Sequence, residues 1–122
     1  MLYLGPVRYE EAESLFKNTK FQFNENSGCV SCKDGEEVLG FCLYDLDNEK
    51  ITVKYIEPLD DISLADGILR STLHVAAEHG VLNAFYEDTV PYDFLNKIGF
   101  IKDELEKRLD IDKLFKSCCN CG

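Results

Sequence analysis

No run in this chain of 122 residues approaches the roughly 20 consecutive apolar side chains that a bilayer-spanning helix needs, which excludes a transmembrane helix. The opening residues, Met1-Leu2-Tyr3-Leu4-Gly5-Pro6, lack a basic cluster and a long apolar stretch. No secretory signal is read there, and the cytoplasm is the expected compartment. The sequence also lacks internal repeats and low-complexity linkers. One domain is expected over 1–122, with a cysteine-rich tail at 117–122. Positive charge is scarce, with 13 basic against 23 acidic residues and a formal net charge of -10. Such a field repels phosphate backbones, so neither nucleic acid nor a membrane is an expected partner. It favours a cationic acceptor such as an amine or a basic peptide, or it serves solubility alone.

A 45% hydrophobic share supports a real core without metal or disulfide staples. The six cysteines are Cys29, Cys32, Cys42, Cys118, Cys119 and Cys121. In a chain without a secretion signal they read as free thiols or a metal site. Cys29-x-x-Cys32 has the spacing of half a zinc hook. It falls in an expected strand, however, where residues three apart point to opposite faces and cannot readily share an ion. Cys42 belongs to an apolar run and is expected in the core. The three tail thiols suit a soft metal or oxidation, but a full site needs a fourth ligand, and no metal is expected.

Apolar periodicity then orders the chain. Leu2 to Val7 suits a strand. Tyr9 to Asn18 carries Ala12, Leu15 and Phe16 at helical spacing behind an acidic first turn. Phe21 to Cys32, Val38 to Tyr44 and Ile51 to Ile56 read as strands separated by Lys33-Asp34-Gly35-Glu36 and by an acidic turn, an antiparallel meander. From Ile62 to His79 the period lengthens. Ala65, Ile68, Leu69, Thr72, Leu73 and Ala76 form one helical stripe, which Gly80 ends. Leu82 to Tyr86 is a short strand, Thr89 to Ile98 a short helix stopped by Gly99, and Arg108 to Ile111 a last strand. A strand, a long helix and a strand predict a parallel βαβ crossover. The fold class is thus α/β (α+β), with a mixed central sheet that begins antiparallel.

Three stretches in this order resemble the GNAT superfamily of acyl-CoA-dependent N-acetyltransferases over nearly the whole chain. The first is Gly28 to Tyr44, where a turn leads into Val38-Leu39-Gly40-Phe41. The second runs from Ile56-Glu57-Pro58 through Ser63-Leu64-Ala65 to Ala76-Ala77-Glu78-His79-Gly80. The third, and most specific, is Glu87-Asp88 followed by Phe94-Leu95-Asn96-Lys97-Ile98-Gly99-Phe100. The resemblance implies that the fourth and fifth strands splay and admit the pantetheine arm of acetyl-CoA as co-substrate. It also implies that the main helix start, Ile62-Ser63-Leu64-Ala65-Asp66-Gly67, receives the pyrophosphate on its backbone N–H groups. Ile56 would contact the arm through its backbone, Asp88 would lie near the cofactor, and Phe94 near the thioester.

The chain departs from that family's pattern in several places. Ser63 stands where the loop usually has Gly, and Asp60, Asp61 and Asp66 surround it. Ser63-x-x-Asp66 also reads as a capping-box-like helix start that needs no ligand. Leu95 replaces the usual Tyr of the closing motif. Tyr92, one turn earlier, is the candidate general acid, or else an amphipathic surface residue. Glu57 is the candidate general base, or else a solvated carboxylate. His74 and His79 read as structural. One helix stands between the first two strands where the family usually has two, which leaves the acceptor pocket open or completed by a partner subunit in a homodimer. The expected function is acetyl transfer from acetyl-CoA to a small-molecule or peptide amine. The alternative is a non-catalytic GNAT-like binding or dimerisation module, and a thiol-based redox or metal-handling protein is a third reading.

Overall fold

A computed structural model describes residues 2–115. Strand β1 (Leu2–Pro6) leads into helix α1 (Tyr9–Lys17), then into β2 (Ser27–Asp34), β3 (Glu37–Leu46) and β4 (Ile51–Glu57). Helix α2 (Ile62–Glu78) crosses to β5 (Ala84–Tyr86), followed by α3 (Tyr92–Lys97), β6 (Ile101–Asp103) and β7 (Arg108–Leu109). The seven strands form one sheet in the order β1-β2-β3-β4-β5-β7-β6. The meander β1 to β4 is antiparallel, β4 and β5 are parallel, and β7 is antiparallel to both of its neighbours. The expected mixed sheet with its crossover is therefore what forms. No described helix is long and apolar enough to cross a membrane.

Each face of the sheet carries its own core. On one face α2 buries Ala65, Ile68, Leu69, Thr72, Leu73 and Ala76, the stripe that the sequence periodicity picks out. They pack with Val53 and Ile56 of β4 and with Phe94 and Leu95 of α3. Burying one such Leu or Ile side chain contributes about 1.5–3 kcal/mol, so this stripe is what fixes the helix to the sheet. Gly80 ends the helix with φ +75, a backbone state in which other side chains are strained. The opposite face holds a smaller cluster of Ala12, Phe16, Cys29, Phe41 and Leu43 under α1.

Strand β2 begins at Ser27, not at the expected Phe21. Residues 21–26 carry alternating aromatic side chains but serve as a loop. Phe23 packs edge-on against Phe16, with centroids 5.2 Å apart, and Asn24 closes a turn through its carbonyl and side chain with Ser27 and Asn26. The alternation thus reports anchoring to α1 rather than strand pairing. Strand β6 is an additional short strand that the sequence pattern does not show. Cys29 lies in the α1-side cluster and Cys32 in the α2-side cluster, so the two thiols do face opposite ways, and Cys42 is in the core as expected. Burial raises the Cys29 thiol pKa far above normal, and raises that of Cys42 to about 12. Both are protonated and inert at neutral pH. Cys118, Cys119 and Cys121 lie outside the described residues.

Candidate functional site

The site begins where two neighbouring strands part. Parallel pairing of β4 with β5 runs through Ile51–Ala84, Thr52–Phe85 and Val53–Tyr86 and then stops. The last rung is the Glu87 N–H donating to Val53 O at 3.0 Å. Beyond it Lys54–Glu57 stays paired with β3, through Leu43–Tyr55, Cys42–Ile56 and Phe41–Glu57, while the β5 side is open. The register slips between Leu43 and Tyr44, which makes Lys54 an extra residue in β4. Such a bulge bends and twists the strand that carries it. The Thr89 hydroxyl donates to the Lys54 carbonyl, so one backbone acceptor exposed by the opening is satisfied from the chain that leaves β5.

The bulge also re-aims side chains. Ile51, Val53 and Ile56 face α2, whereas Tyr55 packs on the α1 side, where its ring centroid is 5.9 Å from Phe41 and 6.3 Å from Phe21. Tyr55 donates to Glu57 Oε1 at 2.7 Å. That bond, with some burial, raises the phenol's pKa above its usual value. The pair stands on the opened segment of β4. Beside it lies a largely apolar crevice of about 350 Å3, lined by Asn18, Thr19, Lys20, Phe21, Tyr55 and Thr89. At its edge Lys54 Nζ lies 3.0 Å from Asp45, 3.6 Å from Glu87 and 5.9 Å from the Phe21 ring centroid. Burial pulls the Lys54 pKa down, but the two carboxylates outweigh it and leave the ammonium raised.

The start of α2 approaches this opening closely. At Gly40 of β3 an added Cβ would lie 2.7 Å from the Glu57 carbonyl oxygen and 2.8 Å from both Pro58 Cδ and Ile68 Cδ1. Only glycine lets the end of β4 and the turn into α2 pack so tightly there. The helix is capped by Asp61, whose carboxylate accepts the Leu64 N–H at 3.1 Å. The capping-box reading of Ser63-x-x-Asp66 is corrected accordingly: Ser63 lies inside the first turn. Asp66 instead turns along the helix to Arg70 Nε at 3.1 Å, and the guanidinium stacks over Phe100. Two of the three acidic side chains near this terminus thus have protein partners.

Of the six residues Ile62 to Gly67, two present unengaged amides. The Leu64 N–H is held by Asp61, the Ala65 N–H donates to the Asp61 carbonyl, and Asp66 and Gly67 lie within the helix. The Ile62 and Ser63 N–H groups make no hydrogen bond among the described residues. Ile56 lies on the stretch of β4 that is open on its β5 side, with its side chain buried. Phe94 is buried in the α2-side core. Asp88 is exposed and pairs with Lys107 Nζ at 2.6 Å. Tyr92 opens α3, partly exposed, and lies close enough to Tyr86 to help raise that phenol's pKa, after the larger effects of burial and Glu104. Among the described residues no hydrogen bond joins Tyr92 to Glu57, whose partner is Tyr55. Sequence reasoning missed Tyr55. Strand alternation alone places residues 55 and 57 on one face of β4, and the bulge at Lys54 decides which face that is.

No protein-family profile and no curated protein matches the chain. Solved structures do. One is assigned as an acetyltransferase of the GNAT family from Desulfovibrio desulfuricans, with TM-score 0.58 and 14% identity over 84% of this chain and 87% of that one. A second, described as an N-acetyl transferase from E. coli, was determined by NMR with coenzyme A bound. It gives TM-score 0.54 and 15% identity over 85% and 94% of the two chains. A nourseothricin acetyltransferase gives TM-score 0.51 and 19% identity over 66% of this chain, which spans only 54% of that protein. The chain therefore has the GNAT acetyltransferase fold, as its motifs imply.

Proposed function

We propose that this protein is an acyl-CoA-dependent N-acyltransferase that uses acetyl-CoA and a small or peptidic amine. The observation that carries this reading is the parting of β4 and β5 beyond Val53 and Tyr86, beside a helix start whose first two amides are unengaged. An open strand edge suits an extended amide-bearing chain, and helix N-terminal amides suit a diphosphate. The residues that would hold the co-substrate are Ile56 through its backbone and Ile62 and Ser63 through their N–H groups. The Leu64 amide would join them when Asp61 releases it. Acetyl-CoA supplies an activated acyl thioester.

Glu57, an exposed carboxylate at the end of the opened segment, takes the proton that the amine loses as its nitrogen becomes acylated. Tyr55 holds that carboxylate in place. Tyr92, at the start of α3, is the group assigned to return a proton to the departing sulfur. The crevice at Phe21 and Tyr55 takes the acceptor, and the Glu57 carboxylate held by Tyr55, with the chain's net charge of -10, favours a cation. The Asp61 cap, which occupies one amide, favours a second reading, a GNAT-like binding module without activity.

Thermal unfolding with acetyl-CoA separates the two readings, followed by acyl transfer to a panel of amines. Ligand at 100 times its dissociation constant stabilises by about 2.7 kcal/mol. No shift at millimolar acetyl-CoA overturns the enzyme reading. A shift without transfer to any amine supports the binding module.

A further inference from the structure

The crevice beside the opened part of β4 already holds an amine. Lys20 lines it together with Phe21 and Tyr55, and its Nζ lies 5.8 Å from the Phe21 ring centroid. At that range the ammonium is drawn to the ring face. The Phe21 and Tyr55 centroids are 6.3 Å apart, and the Tyr55 hydroxyl donates to Glu57 Oε1 at 2.7 Å. Thr89, on the same crevice, donates to the Lys54 carbonyl where β4 leaves β5. One opening thus joins a primary amine, two aromatic rings, the candidate base and the gap between the strands.

The local chain fixes the point from which that amine reaches in. Helix α1 ends at Asn18, whose N–H donates to Leu15 O at 3.3 Å. The Thr19 N–H and hydroxyl both donate to Phe16 O, at 2.9 and 2.7 Å, and the same hydroxyl accepts the Phe21 N–H at 3.2 Å. Lys20 therefore sits between two anchored residues, with its own side chain exposed. The other lysine near Phe21 is differently placed. Lys54 Nζ lies 3.0 Å from Asp45 and 3.6 Å from Glu87. Burial favours loss of its proton, but the two carboxylates outweigh burial and keep it charged. Lys20 forms no ion pair among the described residues. An amine attacks only after it has lost a proton, so Lys20 is the lysine of this crevice that is placed to react.

We propose, resting on the acyltransferase reading above, that Lys20 is an internal acceptor: the protein acetylates it at its own site, and the acetyl group takes the ammonium out of the way of other amines. Nζ, having released one proton to water, attacks the thioester carbonyl carbon. The N–C bond forms and the C–S bond breaks. The proton that the nitrogen then sheds goes to Glu57, and the departing thiolate takes its proton from Tyr92, as in transfer to any other amine. The product is a neutral amide, so the charge over Phe21 is lost and the crevice admits a cation.

The test is peptide mass spectrometry of the full chain incubated with acetyl-CoA. Lys20 should gain one acetyl group about tenfold or more faster than the exposed Lys97 and Lys102, at a rate independent of protein concentration, because the amine is held beside the reacting centre. Unfolding in urea should erase that preference, and Lys20→Arg should remove the label without shifting the melting curve. In the absence of acetyl-CoA, Lys20→Gln, which resembles the acetylated side chain, should bind n-butylamine several-fold more tightly by calorimetry. A preference that survives unfolding, a rate that rises with protein concentration, or unchanged butylamine binding overturns the proposal. Transfer to added amines while Lys20 stays unmodified overturns it too, and leaves the acyltransferase reading standing. A chain that neither binds acetyl-CoA nor modifies Lys20 overturns both.

Discussion

Tyr55 and Glu57, two residues apart on one strand, are locked together by a 2.7 Å hydrogen bond from phenol to carboxylate on the part of β4 that has left β5. If Glu57 is the base, its position depends on that bond. Glu57→Gln should lower kcat about 100-fold or more, the low end of what a placed general base contributes. Tyr55→Phe keeps the ring packing and removes only the donor. It should lower kcat by about tenfold, since a hydrogen bond to a charged group is worth about 1.5–3 kcal/mol. Steady-state kinetics on both variants check the order. Equal losses would show that Tyr55 does more than position Glu57.

Asp61 serves the fold and opposes the proposed ligand. Its carboxylate caps α2 through the Leu64 amide, in the place where a diphosphate would bind. Asp61→Ser keeps a capping oxygen without the charge. Acetyl-CoA affinity, measured by calorimetry, should rise several-fold, with the melting temperature almost unchanged. Asp61→Ala should instead cost about 1 kcal/mol of stability.

Gly40 tests the tight packing between β3 and the turn into α2. Alanine there would place Cβ 2.7 Å from the Glu57 carbonyl oxygen. Backbone cannot yield as a flexible side-chain tip does, so Gly40→Ala should destabilise by about 1–3 kcal/mol in urea titration. It should also weaken acetyl-CoA binding, because the end of β4 and the start of α2 move together.

Alkaline stability follows from three groups whose pKa values burial raises: the Tyr44 phenol, normally near 10.0, and the Cys42 thiol, normally near 9.0, each to about 12, and the Cys29 thiol further still. Above their ordinary values the unfolded chain loses these protons first while the folded chain retains them. Stability is therefore full below about pH 9 and falls as pH rises toward about 12. Tyr44→Phe should leave stability at neutral pH nearly unchanged and make the loss above pH 10 shallower. Denaturant melts across that range measure it.

The elements most legible from sequence are those whose burial follows one period. The α2 stripe from Ala65 to Ala76 is buried throughout, and Cys29 and Cys32 take opposite faces as strand geometry requires. Strand β4 shows the limit of that method. Uninterrupted alternation would put Tyr55 with Ile51 and Val53 against α2. The extra residue at Lys54 sends it, together with Glu57, to the other face. A bulge is a property of the pairing with β3, so it leaves no mark in the spacing of β4 alone. The cap of α2 shows the same limit: the sequence offers Ser63-x-x-Asp66 as the helix start, while the turn packed on Gly40 places Asp61 at the cap.

By itself the sequence determined the succession of elements apart from β6, the mixed sheet with its crossover, and the α2 stripe of the core, because periodicity of apolar side chains is a local property that burial reads directly. The tertiary structure alone decided where β4 leaves β5, which face Tyr55 and Glu57 take, and that Phe85 stands between two cations. Each of these depends on register and close approach between segments distant in the chain, and no spacing within one segment encodes them.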